Sequence, residues 1–160
     1  MTTEPNDILF TRIEPQKPVE TIWPTLPDNR FEPSDDPLEN YRLWINSAYI
    51  GDALKREARA LTGASSAEDC LERYAAAPAD VQATVRDSFG SLLDFGTAGL
   101  RGELGPGFNR MNRWTVGTTV QALADVLKEA YKSRDRKQRY VAIGYDTRHR
   151  AEEFARLAAG

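Results

Sequence analysis

Residues 95–112 read FGTAGLRGELGPGFNRMN, and this stretch holds five of the chain's eleven glycines. Glycine permits positive φ and a close approach of the backbone to a bound group, so a dense run of it suits an anion-binding loop. The same stretch carries Arg101 and Arg110, whose guanidinium groups bind anions through charge-assisted hydrogen bonds. Glycine spacing alone is equally typical of a connection between two elements. The arginines favour a phosphate site, or one part of such a site.

Length and composition indicate one ordinary globular domain. The chain has 160 residues, of which 41% are hydrophobic and 28% are charged. Its net charge of −3 gives no general attraction to nucleic acid or to an anionic membrane. Phosphate binding is therefore expected to be local, with no nucleic-acid or membrane partner.

Cys70 and His149 are the single cysteine and the single histidine of the chain. They exclude an intrachain disulfide framework and a Cys/His metal cluster built from these residues. Cys70 falls in a helical pattern, which favours a packed thiol over a catalytic one. Residues 1–7 lack the basic and then apolar order of a secretory signal, and we expect a cytoplasmic protein.

The first predicted segment is a proline-rich lead over residues 1–37, which contains seven of the nine prolines. Proline removes a backbone donor and fixes φ, so this lead is expected to be extended. Two interpretations stay open. The lead wraps the surface with Trp23 and Phe31 as anchors, or it stays partly disordered.

The second segment, residues 38–90, is predicted to be helical. Its apolar residues recur at the three-and-four spacing of a helix face: Leu38, Tyr41, Ile45, Leu54, Ala58 and Leu61. Ser66 and Asp69 resemble the capped start of a short helix that runs through Tyr74. Pro78 opens a further helix that ends by Gly90.

The third segment, residues 91–160, reads as the start of an α/β domain. A helix capped by Asn112 or Thr115 is predicted from five apolar residues at helical spacing: Val116, Val120, Leu123, Leu127 and Ala130. The β-rich run YVAIGY at residues 140–145 predicts a buried parallel strand. A helix follows from Glu152, which completes the order typical of a layered α/β fold.

A basic cluster lies between the predicted helix and strand, with Lys132, Arg134, Arg136, Lys137 and Arg139. A solvated turn explains these cations better than a nucleic-acid patch, because neither interleaved aromatic residues nor overall basicity accompany them.

Asp146, Arg148 and His149 directly follow the predicted strand, where parallel sheets place their ligands. Asp146 and Arg148 either orient one another, face a ligand or hold the following turn. His149 is a candidate general acid or base, although its two arginine neighbours favour an exposed histidine in a charged turn.

These motifs resemble a known family. FGTAGLRG, followed by GPG, NRMN and a Thr-Val helix, is similar to the opening of the phosphohexomutase superfamily, and VAIGYDTRH resembles the next landmark of its first domain. The closest members in pattern are bacterial phosphoglucomutases and phosphomannomutases and the related phosphopentomutases. The resemblance covers residues 67–160. The predicted fold class is therefore an incomplete first domain of a phosphohexomutase-like layered α/β fold, preceded by a helical segment and the proline-rich lead.

The resemblance implies a four-domain phosphosugar mutase. In that family a phosphorylated serine passes its phosphoryl group to a hexose or pentose phosphate and recovers one from a sugar bisphosphate, with Mg²⁺ beside it. The implied partners are the phosphosugar, the bisphosphate and the remaining mutase domains.

The resemblance also assigns site residues. Arg101 matches the arginine that reaches the phosphate, and the loop that presents it is formed by Thr97, Ala98, Gly99 and Gly102. Asp146 and Arg148 match supporting positions behind the phosphate site. Arg150 and Ala151 depart from the small and hydroxyl residues of relatives, which leaves the cap of the last helix undefined.

The Thr-x-Ser-His-Asn-Pro pattern of the family's catalytic loop does not occur in these 160 residues. No catalytic residue and no metal ligand are assigned, and the domain is expected to stop before its serine. The chain alone is expected to be inactive. The alternative is a non-catalytic module that binds a phosphorylated ligand or a partner.

Overall fold

The computed structural model describes residues 33–97, 99–135 and 140–160. Most of the proline-rich lead therefore lies outside the described residues, as do Ala98 and three cations of the basic cluster, Arg136, Lys137 and Arg139. No helix in the described stretches is long and apolar enough to cross a membrane.

Four helices precede the glycine-rich stretch. They are α1 (Pro37–Asn46), α2 (Asp52–Thr62), α3 (Cys70–Ala76) and α4 (Ala79–Phe89). Apolar spacing predicts α1 and α2, Pro78 predicts the start of α4, and local signals set the ends. Asp36 caps α1 by accepting the Leu38 backbone N–H at 2.9 Å. Gly63 ends α2 in the left-handed conformation, with φ of 72°.

The predicted cap of the third helix is wrong by three residues. The Asp69 carboxylate accepts the backbone N–H groups of Ser65 at 3.1 Å and of Ser66 at 2.9 Å. These bonds hold residues 65–69 in a turn, so the N-cap of α3 is Asp69 rather than Ser66. They also hold the pKa of Asp69 well below its usual range.

The glycine-rich stretch contains a small hairpin. Strand β1 (Phe95–Gly96) pairs antiparallel with β2 (Gly99–Leu100), with Phe95 opposite Leu100. Helix α5 (Arg113–Ala130) follows, and Asn112 and Thr115 both contribute to its cap through a reciprocal capping box. Helix α6 (Ala151–Ala159) ends the described chain, and α5 and α6 pack on each other. This mixture of helices and a small sheet agrees with the predicted α/β class.

The predicted buried strand at residues 140–145 is wrong for the described structure. These residues pair with no described strand, and Tyr140, Val141 and Tyr145 are exposed. A β-strand requires hydrogen bonds to a neighbouring strand. The only sheet among the described residues is the hairpin of β1 and β2, which pair with each other. The β-rich composition of the run was therefore insufficient.

The hydrophobic core joins the helical segment to the glycine-rich stretch. Trp44 of α1 lies at its centre, with ring centroids 5.8 Å from Phe89 and 4.9 Å from Phe108. Trp114 of α5 closes the cluster at 5.6 Å from Trp44. These are edge-on contacts, the favoured geometry for aromatic pairs. Cys70 is buried in the same core, as a packed thiol.

Candidate functional site

The glycine-rich stretch and the start of α6 face each other across a cleft of about 810 Å³. The cleft is lined by Leu100, Arg101, Gly102, Leu104, Met111, Ile143, Gly144, Tyr145, Asp146, Arg148, His149, Ala151, Phe154, Ala155 and Ala158. Two segments about forty residues apart in sequence thus meet, and both carry the charged residues that the sequence singles out.

Arg101 follows β2 directly and is exposed at the edge of this cleft. Its side chain makes no hydrogen bond or ion pair with any residue in the described ranges. An arginine with a structural role is normally held by a carboxylate, and no carboxylate of the described residues holds this one. Its five N–H donors are therefore available for an anion, and a phosphate accepts two of them in parallel.

The predicted loop residues divide into two groups. Gly102 lines the cleft, whereas Thr97 in the hairpin turn and Gly99, the first residue of β2, do not line it. Gly99 has φ of 99°, which L side chains rarely adopt, so the glycine is needed for the turn. The hairpin turn therefore shapes the approach to Arg101 rather than contacting a ligand in the cleft.

Asp146 and Arg148 orient one another. The Asp146 carboxylate accepts the Arg148 backbone N–H at 3.1 Å and lies 3.0 Å from the Arg148 Nε. Both side chains are largely exposed and both line the cleft. Of the three alternatives that the sequence leaves open, mutual orientation and support of the following turn therefore occur together, whereas contact with a ligand stays a prediction.

His149 also lines the cleft, next to Arg148. It is exposed, as its charged neighbours indicate, yet it lies on the same surface as Arg101. Leu104, Met111 and Tyr145 are further lining residues that the sequence reasoning missed. Their position in the sequence could have indicated them. Leu104 lies two residues from Gly102, Tyr145 precedes Asp146, and Met111 belongs to the NRMN motif.

The loop behind Arg101 is held by a network of backbone bonds. The Met111 N–H donates to the Glu103 carbonyl at 2.7 Å, and the Gly105 N–H donates to the Met111 carbonyl at 3.4 Å. The fully buried Asn112 amide donates to the carbonyls of Gly105 and Gly107, each at 2.9 Å. A glycine-rich sequence predicts mobility, but here its carbonyl groups have specific partners.

The start of α6, on the opposite wall, is fixed by charge rather than by a side-chain cap. Arg150 occupies the N-cap with φ of 62°, and its Nε donates to Glu153 at 2.8 Å. Glu153 also pairs with Arg113 of α5 at 3.4 Å. The bond from Arg150 lowers the pKa of Glu153, and the same pair raises the pKa of Arg150. The sequence leaves the cap of this helix undefined because Arg150 and Ala151 differ from the residues of relatives. The ion pair between Arg150 and Glu153 stabilises the helix start in place of a side-chain cap.

The cleft presents two guanidinium groups and one imidazole against a single carboxylate, a set suited to an anion. Within the described ranges, no three His, Cys, Asp or Glu side chains come together as a metal site. The single carboxylate of the cleft, Asp146, does not supply the set of oxygen ligands that a magnesium ion needs.

Part of the chain is similar to known proteins. Residues 92–160 match the family described as phosphoglucomutase/phosphomannomutase, alpha/beta/alpha domain I. Human phosphopentomutase is 40% identical over 81 residues, which cover 47% of this chain and 13% of the relative. A probable phosphoribomutase of Schizosaccharomyces pombe is 41% identical over 81 residues, covering 51% of this chain and 14% of the relative.

A bacterial relative, the phosphoglucomutase of Staphylococcus aureus strain bovine RF122/ET3-1, is 39% identical over 74 residues, or 46% of this chain and 12% of the relative. The matches thus span about an eighth of the length of these relatives. No solved structure matched the chain.

Proposed function

We propose that residues 92–160 are the first-domain segment of a phosphohexomutase superfamily protein. On that premise, the cleft is the part of a phosphosugar mutase that binds the phosphate group of the substrate. The observation that carries the proposal is the placement of Arg101, without a described partner, in one cleft with Arg148. The substrates would be a hexose or pentose phosphate and the corresponding bisphosphate.

Arg101 would bind the phosphate oxygens in a bidentate manner and neutralise charge that develops during phosphoryl transfer. Such transfer depends mainly on alignment and electrostatic stabilisation, which positioned guanidinium groups supply. Arg148, held by Asp146, would provide a second cation in a fixed orientation. These residues bind and orient, and none of them is a nucleophile for the transfer.

The printed 160 residues are proposed to lack turnover by themselves, because the Thr-x-Ser-His-Asn-Pro pattern is absent from them. Magnesium, the phosphoserine and the remaining mutase domains would belong to a complete enzyme. A cytoplasmic location is part of the same proposal, since the chain uses a single cysteine and no disulfide framework.

Binding and activity test the proposal separately. Inorganic phosphate and glucose 1-phosphate are titrated into the ¹⁵N-labelled chain, and Arg101→Ala is compared with wild type. We expect shifts at Gly102 and Arg148 that Arg101→Ala abolishes; shifts that survive the substitution contradict the phosphate role. A coupled assay from hexose 1-phosphate to 6-phosphate should show no turnover, and turnover by this chain would falsify the inactive assignment.

The second candidate is a phosphate-binding module without chemistry, for which the two arginines of the cleft suffice. Both candidates predict phosphate binding in the cleft. They differ in the coding sequence downstream of residue 160, where a Ser-His-Asn-Pro loop favours the mutase and a natural stop codon favours the module.

A further inference from the structure

We propose that Arg110 is a positioning residue, which fixes the cleft wall carrying Arg101 through its ion pair with Asp87 of α4. The proposal deepens the proposed function and rests on it for the role of Arg101. Its geometric content, that α4 holds the wall in place, stands on contacts within the described residues.

Arg110 is an unusually enclosed cation. Its side chain is only 9% exposed. Guanidinium groups are rarely buried unless they are paired, so partners for Arg110 are expected. Its Nη2 is ion-paired to the Asp87 carboxylate, and its Nη1 donates to the Asn109 carbonyl at 2.8 Å. Glu103 adds a more distant carboxylate at 3.8 Å. The planar guanidinium fork restricts where Arg110 can lie relative to α4.

The backbone next to Arg110 continues directly into the cleft wall. Met111 follows it, lines the cleft and donates its N–H to the Glu103 carbonyl at 2.7 Å. Leu104 also lines the cleft and forms a bridge with Met111. The stem of Arg110 lies under Gly105, where an added Cβ would be 3.7 Å from both its Cγ and its Cδ. A displaced Arg110 therefore displaces lining residues.

Asn109 reinforces the same attachment. Its backbone N–H donates to the Ser88 carbonyl at 3.0 Å, and its side-chain amide donates to the Asp87 carbonyl at 3.1 Å. Residues 109–110 are thus tied to the end of α4 by three contacts. Helix α4 ends at Phe89, before the family match at residues 92–160 begins. A helix outside the matched segment thereby sets the position of the predicted phosphate site. Functional groups need this kind of support to hold a productive geometry.

The test compares Asp87→Asn and Arg110→Lys with wild type. The first keeps shape and removes the charge, and the second keeps the charge and removes the planar fork. Asp125→Asn, in the exposed Lys128 pair of α5, is the matched control. Amide hydrogen exchange is measured at Gly105 and Met111, with core amides of α1 as an internal standard. Inorganic phosphate affinity is measured on the same samples.

Both variants should speed exchange at Gly105 and Met111 by about tenfold and weaken phosphate binding by about threefold, with α1 and the control unchanged. Unchanged exchange at the two amides overturns the proposal, as does faster exchange throughout the core, which indicates general destabilisation. Faster local exchange with unaltered phosphate affinity also overturns it. If wild type binds no phosphate, the proposed function fails, while local exchange still decides whether the pair positions the wall.

Discussion

Gly107 lies so close to α4 that a Cβ atom on it would be 2.3 Å from the backbone oxygen of Ser88. Its φ of 118° is also one that L side chains rarely adopt. The glycine-rich stretch and α4 therefore pack so closely at this point that only the hydrogen side chain of glycine fits between them. This contact and the insertion of Phe108 into the core explain how a glycine-rich stretch becomes a rigid wall.

Replacement of Gly107 by alanine should destabilise the fold by about 3 kcal/mol or more, because the new methyl group meets backbone and the conformation is strained. Urea unfolding followed by tryptophan fluorescence measures the change. Gly51→Ala is the control, since nothing lies within 4 Å of a Cβ there. It should lose only about 0.5–1 kcal/mol, the cost of replacing glycine by alanine at a helix N-cap. Equal losses in the two variants would contradict the close-contact explanation.

Substitutions at Arg101 should separate binding from stability. Arg101→Lys retains the charge but loses the bidentate fork, so we expect phosphate affinity to fall by about tenfold. The free energy of unfolding should change by less than about 0.5 kcal/mol, because the side chain is exposed. Arg56→Lys, on the exposed face of α2, should alter neither quantity. An Arg101 variant with wild-type affinity would remove Arg101 from the site.

Asn112 distinguishes capping from buried donation. Aspartate and asparagine cap helices equally well, so capping alone predicts no effect of Asn112→Asp. The buried amide, however, also donates to the carbonyls of Gly105 and Gly107, and a carboxylate would face them without a proton. We expect a loss of about 3 kcal/mol in chemical denaturation. Asp36→Asn, at the exposed cap of α1, is the control and should leave the free energy of unfolding nearly unchanged. If Asn112→Asp also left it unchanged, the hydrogen bonds from the Asn112 amide would not contribute to stability.

The pH dependence of α6 follows from Glu153, whose pKa Arg150 lowers from 4.5 in the folded chain. Because the folded pKa is depressed, the stabilisation is fully present above the unfolded value. It is lost as pH falls through the folded value. Carboxyl NMR shifts should titrate below pH 4.5, and α6 amides should exchange faster under the same acidic conditions. Glu153→Gln should remove this dependence, and a Glu153 midpoint at or above 4.5 would contradict the pairing.

The run at residues 140–145 should promote self-association. Tyr140 is 88% exposed and Val141 is 63% exposed, and β-rich apolar segments without a paired neighbour associate with other edges. Val141→Lys should weaken association by about tenfold in sedimentation equilibrium. Ala122→Lys adds the same charge on exposed α5 and should have little effect. A strictly monomeric wild-type chain with a sharp unfolding transition would count against this expectation.

Much of the fold was readable from local patterns. Apolar spacing located α1, α2 and α5, and Pro78 marked the start of α4. The Asn112 and Thr115 side chains marked the start of α5. The motifs around Arg101 and Arg148 also predicted the similarity to phosphosugar mutases that the comparisons found in residues 92–160. Helical spacing and capping depend on neighbours within a few residues, so one sequence contains them.

Two features depended on contacts between distant residues. The strand expected at residues 140–145 needs a hydrogen-bonding neighbour, which composition cannot supply. The cleft wall that carries Arg101 is attached to α4 by the ion pair between Arg110 and Asp87, which are 23 residues apart in the sequence. The sequence by itself predicted most of the helices and proposed which residues bind phosphate. Only the tertiary structure decided what holds them, because packing and ion pairing act through space rather than along the chain.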